Sequence, residues 1–376
     1  MRTLILSCNT GQGHNSCAKA LQEAYEANGA VCDIEDALRF ISPNFSKFIS
    51  WGHTTIYRHF SGLFKWGYAY SERHPDLFHG NSSVFKLLTG GTKRMYEFIR
   101  DGQYDSVICV HVFSALILTE MLKQHPMDIK TSFVATDYTC SPSTEQSDLD
   151  LYFIPHKILK YDYEHPNIPL SKMVCSGIPI RQMFYYNTPK EEAKKALGIP
   201  TNQPHLLLMC GSMGCGPIKH LVRLLSREEG FQMTVVCGTN DKLQKSLQKH
   251  YKAHSNIHIR GYEKGMSLLL DSADLYLTKP GGLSVTESFA KNLPMVCIDA
   301  VAGCEEYNRN FFLRMGGAKT GRNVWQLKNL CCTILQNPRK LSLMRSCMEE
   351  TEKGNAAQVI YETMRDYCSN NSSLED

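Results

Sequence analysis

Three glycine-containing loops stand where an expected strand passes into an expected helix. They read Gly11-Gln12-Gly13, Gly211-Ser212-Met213-Gly214 and Lys279-Pro280-Gly281-Gly282. At such a junction the free backbone N–H groups and the helix dipole favour a bound phosphate, and glycine lets the ligand approach the backbone closely. None of the loops has the spacing of a dinucleotide fingerprint or the lysine of a Walker loop. Each alone is more often a tight turn, but the three together predict a site for a small anionic ligand.

Carboxylates stand just beyond two expected strands in the second half of the chain. Glu287 follows Gly281-Gly282, where its two oxygens could accept hydrogen bonds from the vicinal hydroxyls of a ribose. The alternative is an acid that stabilises the start of its helix. Glu305 and Glu306 follow the strand PMVCID. They either bind the hydroxyls of a sugar or cap the next helix at the surface.

A histidine and an aspartate could supply acid–base chemistry. His14 follows the first glycine loop, and a histidine can take a proton from a hydroxyl near neutral pH. Asp137 ends the strand FVATD and could orient His14 or act as the base itself. A buried, hydrogen-bonded structural histidine is the alternative. A DxD motif for a metal–diphosphate bridge is not predicted, because Asp148 and Asp150 in DLDLY run into a strand.

A segment without acids, residues 37–71, interleaves aromatic and basic side chains. Trp51 and Trp66 are accompanied there by further Phe and Tyr residues and by bases that include Arg58 and Lys65. Aromatic anchors combined with bases for anionic head groups are typical of a membrane interface. Two aromatic core helices are the alternative interpretation of the same segment.

Two parallel sheets must position these residues. Strands alternate with helices, first through TLILSC, AVCDIEDAL, DSVICVHV, TSFVATD, LDLYFIP and MVCSGIP, and again from HLLLMC onwards. This alternation predicts a doubly wound, Rossmann-like α/β domain in each half, with ligands at the carboxyl ends of the strands. We expect one domain over residues 1–185 and a second over 186–355, facing each other across a central cleft. The last helix, about residues 356–370, is expected to pack back on the first domain.

Composition limits the partners and the compartment. The 376 residues carry a formal charge of +4, too mild for a protein that binds nucleic acid through a basic stripe. No secretory signal opens the chain, and no apolar run reaches the ~20 residues of a membrane span. A soluble or peripheral membrane protein is therefore expected. The 15 cysteines lack CxxC spacing, so we expect small buried residues in a reducing cytoplasm.

The motifs of the chain together resemble those of one family. They are GQGH, VATD, SGIPI, CGSMGCG, VVCGTNDKL, RGY, LTKPGGLSVTES and EEYNRN. The piece TKPGGLSVTE with the downstream EExN is the most specific of them. The chain is similar to the diacylglycerol glycosyltransferases, which include plant monogalactosyldiacylglycerol synthases and bacterial processive diacylglycerol glucosyltransferases. The resemblance implies a GT-B fold, with a UDP-sugar on the second domain and a lipid acceptor on the first.

The resemblance also implies roles for individual residues. Glu287 would hold the ribose, Glu305 and Glu306 would meet the donor sugar, and His14 or else Asp137 would be the base. The second glycine loop would contact the diphosphate, and residues 261–262 would border the uracil. The other donor-binding positions together are Gly13, Gly211, Ser212, Met213, Gly214, Gly261, Tyr262, Lys279, Pro280, Gly281 and Gly282. Family members carry a His and a Trp shortly after the Thr-Asp pair. TDYTCSPSTEQSD has neither, which leaves the acceptor open.

The sequence thus predicts an inverting glycosyltransferase that needs neither a metal ion nor a cofactor. It would move a hexose from a UDP-sugar to a lipid acceptor, diacylglycerol first of all, at the anionic inner face of a bacterial cell membrane. A nucleotide-sugar epimerase of the same fold and a catalytically silent regulator that binds UDP-sugar or lipid are the alternatives. The identity of the sugar depends on one stereocentre or one substituent and is left open.

Overall fold

The computed structural model describes residues 1–9, 11–59, 62, 66–67, 69–70, 73–74, 78, 80, 82–298 and 303–372, without the side chains of residues 53–54, 56–59 and 370–372. The chain divides into two compact units. The first contains Met1–Gln182, Val301–Cys304 and Gly354–Asp376, and the second contains Met183–Ala300 and Glu305–Lys353.

A six-stranded parallel sheet forms the centre of the first unit, in the order β2-β1-β3-β4-β5-β6 within the described residues. Its strands are β1 (Arg2–Ser7), β2 (Val31–Asp36), β3 (Ser106–Cys109), β4 (Lys130–Val134), β5 (Leu151–Ile154) and β6 (Met173–Cys175). Leu4, Ile5 and Leu6 are all fully buried. Helices cover both faces of such a sheet, and this is why the apolar residues run together along a strand instead of alternating.

The helices of the first unit follow the strands as predicted. They are α1 (Gln12–Ala27), α2 (Pro43–His59), α3 (Ser83–Leu88), α4 (Thr92–Asp101), α5 (Val112–Gln124), α6 (Lys160–Tyr163) and, at the end of the chain, α15 (Ala356–Ser372). Short 3₁₀ turns lie at Ala37–Phe40, Thr144–Gln146, Lys157–Leu159, Leu170–Lys172 and Gln182–Phe184. Helix α15 packs against α1, where the rings of Tyr25 and Tyr361 meet edge to face with centroids 5.0 Å apart.

A second six-stranded parallel sheet forms the centre of the second unit, in the order β12-β11-β10-β7-β8-β9 within the described residues. Its strands are β7 (His205–Met209), β8 (Gln232–Val236), β9 (Ile257–Arg260), β10 (Leu275–Thr278), β11 (Met295–Cys297) and β12 (Ala318–Thr320). Five of these strands are predicted from the sequence. The sixth, β12, is a three-residue strand at the sheet edge, too short to carry a recognisable apolar run.

The helices of the second unit cover both faces of its sheet. They are α7 (Lys190–Ala196), α8 (Ile218–Leu225), α9 (Asp241–His250), α10 (Met266–Ser272), α11 (Gly282–Ala290), α12 (Gly303–Met315), α13 (Val324–Leu335) and α14 (Pro338–Glu349). Helix α8 shows how the pattern produces the packing. Its buried Ile218, Leu221, Val222 and Leu225 recur at helical spacing and join the core cluster of this unit.

The strand orders place the glycine loops of the chain. In each sheet the order reverses at one point, between β1 and β3 in the first and between β7 and β10 in the second. Loops at the carboxyl ends of strands that flank such a reversal diverge and leave a crevice for ligands. The loops that begin at Cys8, Cys210 and Lys279 all follow strands of this kind.

Two general properties complete the description. The helices that the structure describes include none with the length and apolar composition needed to cross a membrane. All fifteen cysteines lie among the described residues and are free, and eight of them are buried, among them Cys109 and Cys237. Burial raises the pKa of the Cys109 thiol to about 12, so this thiol behaves as a small apolar core residue.

Candidate functional site

His14 is held at the start of α1, at the carboxyl edge of the first sheet. Helix α1 begins at Gln12, so His14 lies in its first turn. The ring Nδ1 of His14 lies 2.9 Å from the carbonyl oxygen of Val110, just beyond β3. A carbonyl oxygen only accepts hydrogen bonds, so Nδ1 carries the ring proton and Nε2 has the lone pair.

Burial sets the charge of this histidine. It lowers the pKa of His14 below its ordinary value of 6.5, although the hydrogen bond to the Val110 carbonyl acts in the opposite direction. The positive end of the α1 dipole also disfavours an imidazolium. His14 is therefore neutral at pH 7, with Nε2 ready to accept a proton.

Asp137 lies close to His14 but reaches it through an intermediate residue. The hydroxyl of Thr136 lies 3.2 Å from Nδ1 of His14 and 3.5 Å from Oδ2 of Asp137. Thr136 is buried and Asp137 is partly buried, both just beyond β4. The structure thus brings together the two residues that the sequence proposes as bases, and it adds a threonine that sequence analysis missed. The position of this threonine, directly before Asp137 in VATD, is the signal that could have identified it.

His111 is a second residue that sequence analysis missed. Its ring meets the ring of His14 edge to face, with centroids 4.5 Å apart. Nδ1 of His111 accepts the backbone N–H of Phe113 at 3.0 Å and so caps α5. This bond leaves the ring proton of a neutral His111 on Nε2. Its position at the end of the predicted strand DSVICVHV could have identified it, because His14 also follows a predicted strand.

The glycine loop after β7 packs tightly against the loop after β8. Gly214 has φ +58°, and a Cβ atom there would lie 2.1 Å from the carbonyl oxygen of Cys237. A Cβ atom at Gly238 would in turn lie 2.0 Å from the carbonyl oxygen of Ser212, which accepts the backbone N–H of Thr239 at 2.8 Å. Backbone contact between the two loops therefore requires glycine at both positions.

Lys279 and Glu305 form an ion pair beside that loop. The Lys279 ammonium contacts Oε1 of Glu305, with the two side chains only 14% and 7% exposed. A Cβ atom at Gly211 would lie 3.5 Å from Cε of Lys279, so the ammonium group stands next to the second glycine loop. Asn308, which is fully buried, donates to the carbonyl oxygen of Pro280 at 3.1 Å and fixes the loop after β10. Sequence analysis missed this role of Asn308, although EExN contains it.

Glu287 is partly buried in the second turn of α11, and the first turn of this helix contains no acid. The dipole effect falls off within the first turn, so helix stabilisation does not explain this carboxylate. Gly281 has φ −71°, and among the described residues the nearest atom to a Cβ placed there would be Cε of Lys279, at 3.9 Å. A side chain at Gly281 would thus pack against Lys279.

The remaining donor-binding candidates of this unit differ in their surroundings. Tyr262 follows β9 at the sheet edge and is 65% exposed. A Cβ atom at Gly261 would lie 2.5 Å from the side-chain amide of Gln244. Glu306 pairs with Arg309 at 3.3 Å and is 46% exposed. Glu306 is thus a surface residue in the first turn of α12, unlike its buried neighbour Glu305.

Both acids of DLDLY have partners within the first unit. Asp150 accepts hydrogen bonds from the backbone N–H and the hydroxyl of Thr131, at 2.7 and 2.8 Å. Asp148 pairs with Lys172 at 2.8 Å. The described side chains include no group of three or more His, Cys, Asp or Glu residues arranged to hold a metal ion.

The proposed membrane-facing segment is only partly described. Trp51 on α2 is 66% exposed and Trp66 is 63% exposed. Phe48, on the same helix as Trp51, is 63% exposed. Lys65 and the side chain of Arg58 lie outside the described residues. The tryptophans are too exposed to belong to a core helix, which was the alternative interpretation of this segment.

Two family matches cover most of the chain. Residues 14–180 match the monogalactosyldiacylglycerol (MGDG) synthase family, and residues 205–318 match the C-terminal domain of glycosyltransferase family 28. The processive diacylglycerol beta-glucosyltransferase of Bacillus pumilus is 26% identical over 367 residues, which are 96% of this chain and 94% of that protein. The resemblance predicted from the motifs is thereby confirmed, and the similarity to proteins named as glycosyltransferases extends over nearly the whole chain.

Solved structures confirm the fold class. MurG of Acinetobacter baumannii superposes with a TM-score of 0.64 at 13% identity, over 97% of this chain and 99% of that one. The UDP-GlcNAc 2-epimerase of Neisseria meningitidis, solved with UDP-GlcNAc bound, gives a TM-score of 0.61 at 13% identity, over 97% of this chain and 100% of that one. At this identity the likeness concerns the fold alone. The fold is GT-B, with two doubly wound α/β domains.

Proposed function

We propose that this chain, whose two halves match glycosyltransferase domains, moves a hexose from a UDP-sugar to the hydroxyl of a lipid acceptor such as diacylglycerol. The relatives named diacylglycerol glucosyltransferases support the acceptor class. The observation that carries the chemistry is His14, a neutral imidazole whose Nδ1 is held by the Val110 carbonyl at 2.9 Å. This arrangement leaves Nε2 to act on a hydroxyl.

The reaction is a single displacement with inversion. The hydroxyl oxygen of the acceptor attacks the anomeric carbon of the sugar, and Nε2 of His14 takes the hydroxyl proton as the new C–O bond forms. The bond between the anomeric carbon and the diphosphate breaks, and its electron pair leaves with UDP. His14 ends the step as an imidazolium, which returns its proton to water.

The second unit would bind the donor without a metal ion. The backbone of the loop Gly211–Gly214 and the N-terminus of α11 offer N–H groups to the diphosphate. The Lys279 ammonium, beside Gly211, offers a positive charge to the departing diphosphate. Glu287, in the second turn of α11, would accept hydrogen bonds from the ribose hydroxyls.

The first unit would reach the lipid at a membrane surface. Phe48 and Trp51 are both strongly exposed on α2, and Lys47 beside them is exposed as well. Aromatic rings anchor at the head-group level of a bilayer, and lysines add attraction to anionic lipids. We place the protein as a peripheral protein on the inner face of the cell membrane.

Incubation with vesicles that contain diacylglycerol tests the proposal. UDP-glucose, UDP-galactose and UDP-N-acetylglucosamine are supplied separately, with and without EDTA, and the lipids are analysed by mass spectrometry. A hexosyl-diacylglycerol formed equally well with EDTA supports the proposal. Conversion of a UDP-sugar into its epimer would instead assign an epimerase. UDP binding in calorimetry without turnover on any acceptor would assign a regulator.

A further inference from the structure

Thr136 holds a position between the proposed base and the nearby carboxylate. It follows β4, is only 7% exposed, and directs its hydroxyl towards Nδ1 of His14 at 3.2 Å. Threonine and valine have nearly the same size, so the buried hydroxyl of Thr136 is not needed for packing. It needs hydrogen-bond partners instead. A buried polar group without hydrogen bonds is costly.

The hydrogen atoms in this cluster can be assigned. The Val110 carbonyl accepts from Nδ1 of His14 at 2.9 Å, so the ring proton is on Nδ1. The Thr136 hydroxyl then cannot donate to Nδ1. Its oxygen instead accepts from Nδ1–H, as a second acceptor beside the Val110 carbonyl. Its own hydrogen is left for Oδ2 of Asp137 at 3.5 Å. The direction of donation therefore runs from His14 through Thr136 to Asp137.

We propose that Thr136 is a positioning residue for His14, whose hydroxyl relays the negative charge of Asp137 to the imidazole as the ring takes up the acceptor proton. This inference rests on the proposed role of His14 as the base. When Nε2 becomes protonated, Nδ1–H becomes a stronger donor and its bond to Thr136 strengthens. The proton itself stays on Nδ1.

The relay explains how a histidine in a desolvated site can accept a proton at all. Burial and the start of α1 both disfavour the imidazolium, and a carbonyl contact alone stabilises it weakly. Among the described residues, His111 meets this imidazole with ring centroids 4.5 Å apart, and Asp137 reaches it through the Thr136 hydroxyl. Of these two groups Asp137 is the one that brings a negative charge, and the Thr136 hydroxyl connects it to the ring.

Substitution by valine tests the relay, because it removes the hydroxyl and keeps the shape of the side chain. Thr136→Val should lower kcat at least tenfold, yet by less than the ~10²–10⁴ expected for loss of a general base. The KM for the UDP-sugar should stay within about twofold, since the proposed donor site is in the other unit. Thr136→Ser, which keeps the hydroxyl, should restore most of the activity. If Ser is as damaging as Val, the methyl group and not the hydroxyl matters, and the relay is wrong.

A second measurement separates this inference from the proposed reaction. The imidazole of His14 is titrated by NMR in the parent and in Thr136→Val, with His14→Gln to assign the signal. Loss of an acceptor that favours the imidazolium should lower the His14 pKa by about 0.5–1 unit, the size of one net hydrogen bond. The acid limb of the kcat/KM profile should move to lower pH by the same amount. An unchanged titration overturns the relay whether or not the parent transfers a hexose.

Two further variants complete the test. Thr139→Val removes another buried threonine hydroxyl from the same loop, one that contacts the carbonyl of Cys140 at 3.4 Å. It should leave both the activity and the His14 titration near those of the parent, and an equal effect would overturn the specific role of Thr136. Asp137→Asn removes the charge at the end of the relay and should also lower the His14 pKa. This variant decides the question if Thr136→Val does not fold.

Discussion

Lys279 and Glu305 form an ion pair that is almost entirely withdrawn from solvent, with the two side chains 14% and 7% exposed. The pair joins the loop after β10 to the first turn of α12. Two charges in such a place rarely stabilise a protein more than well-packed apolar residues do, whereas removal of one partner leaves the other uncompensated. The position of the pair beside the glycine loop is the reason we propose that the lysine charge contributes to diphosphate binding.

Breaking this pair should have a large effect on stability. Lys279→Met should lower the free energy of unfolding by about 3–5 kcal/mol, because Glu305 would remain buried without its partner. Urea unfolding followed by circular dichroism measures the change. The double variant Lys279→Met/Glu305→Gln should regain much of the loss. Lys328→Met, which breaks the more exposed pair with Glu228 in the same unit, is the control, and a loss there as large as that at Lys279 would contradict the argument.

Glu287→Ala should weaken UDP binding by about 1–3 kcal/mol, the range for hydrogen bonds to a charged group. The reason is its position in the second turn of α11, directly after the loop Gly281-Gly282. Isothermal titration with UDP measures the effect, and Glu192→Ala, an exposed acid on α7, is the matched control. Equal UDP affinity in the parent and in Glu287→Ala would show that Glu287 does not bind the ribose.

His14→Ala should lower the turnover by ~10²–10⁴, the usual contribution of a positioned general base, while UDP affinity stays near that of the parent. Burial lowers the pKa of His14 below 6.5, so the base is neutral throughout the neutral range. In the parent, kcat/KM should be level there and should fall only as the pH drops through this lowered pKa. Turnover within a few fold of the parent would make Asp137 the better candidate for the base.

His205 should make the second unit sensitive to acid. It is fully buried, with Nε2 2.9 Å from the Thr234 hydroxyl and Nδ1 3.1 Å from that of Ser272, and burial lowers its pKa to about 4. The unfolded chain, with a histidine pKa near 6.5, binds more protons below that pH. The contribution of His205 to stability is thus complete above pH 6.5 and is lost as the pH falls towards 4, by about 3 kcal/mol.

Urea unfolding at a series of pH values checks this expectation. His205→Asn should be less stable than the parent at pH 7 but should lose less stability between pH 6.5 and 4. His250→Asn, at an exposed position on α9, should keep the slope of the parent. If His205→Asn also keeps that slope, the acid sensitivity arises elsewhere.

The segment 37–71 should bind the protein to anionic vesicles, and flotation with vesicles should weaken at high salt as the charges are screened. Each Lys or Arg near the surface adds about 1 kcal/mol, so the triple variant Lys47→Glu, Arg58→Glu, Lys65→Glu should no longer float. UDP binding should persist, because the donor site is predicted in the other unit.

The same change of charge on the second unit is the control for flotation. Lys242, Lys245 and Lys249 are exposed on α9, and their replacement by Glu should leave flotation intact. A triple variant of the segment that still floats would assign the patch to another partner. Loss of flotation in both triple variants would show that overall charge, and not this segment, controls binding.

The sequence by itself determined the two parallel sheets, the positions of their glycine loops and the family resemblance. Strands covered on both faces require continuous apolar runs such as Leu4–Leu6, and a ligand loop requires glycine next to a helix start, so both are visible in a linear pattern. The short edge strand β12 was missed because three residues carry no such run.

Only the tertiary structure decided which side chains meet. His14 reaches the Val110 carbonyl across 96 residues and Thr136 across 122 residues, and Lys279 pairs with Glu305 in the first turn of α12. These contacts depend on which strands are neighbours in the sheet, and a linear pattern carries no information on strand order. The burial that keeps His14 neutral has the same origin, since desolvation is produced by the packing of residues far apart in the chain.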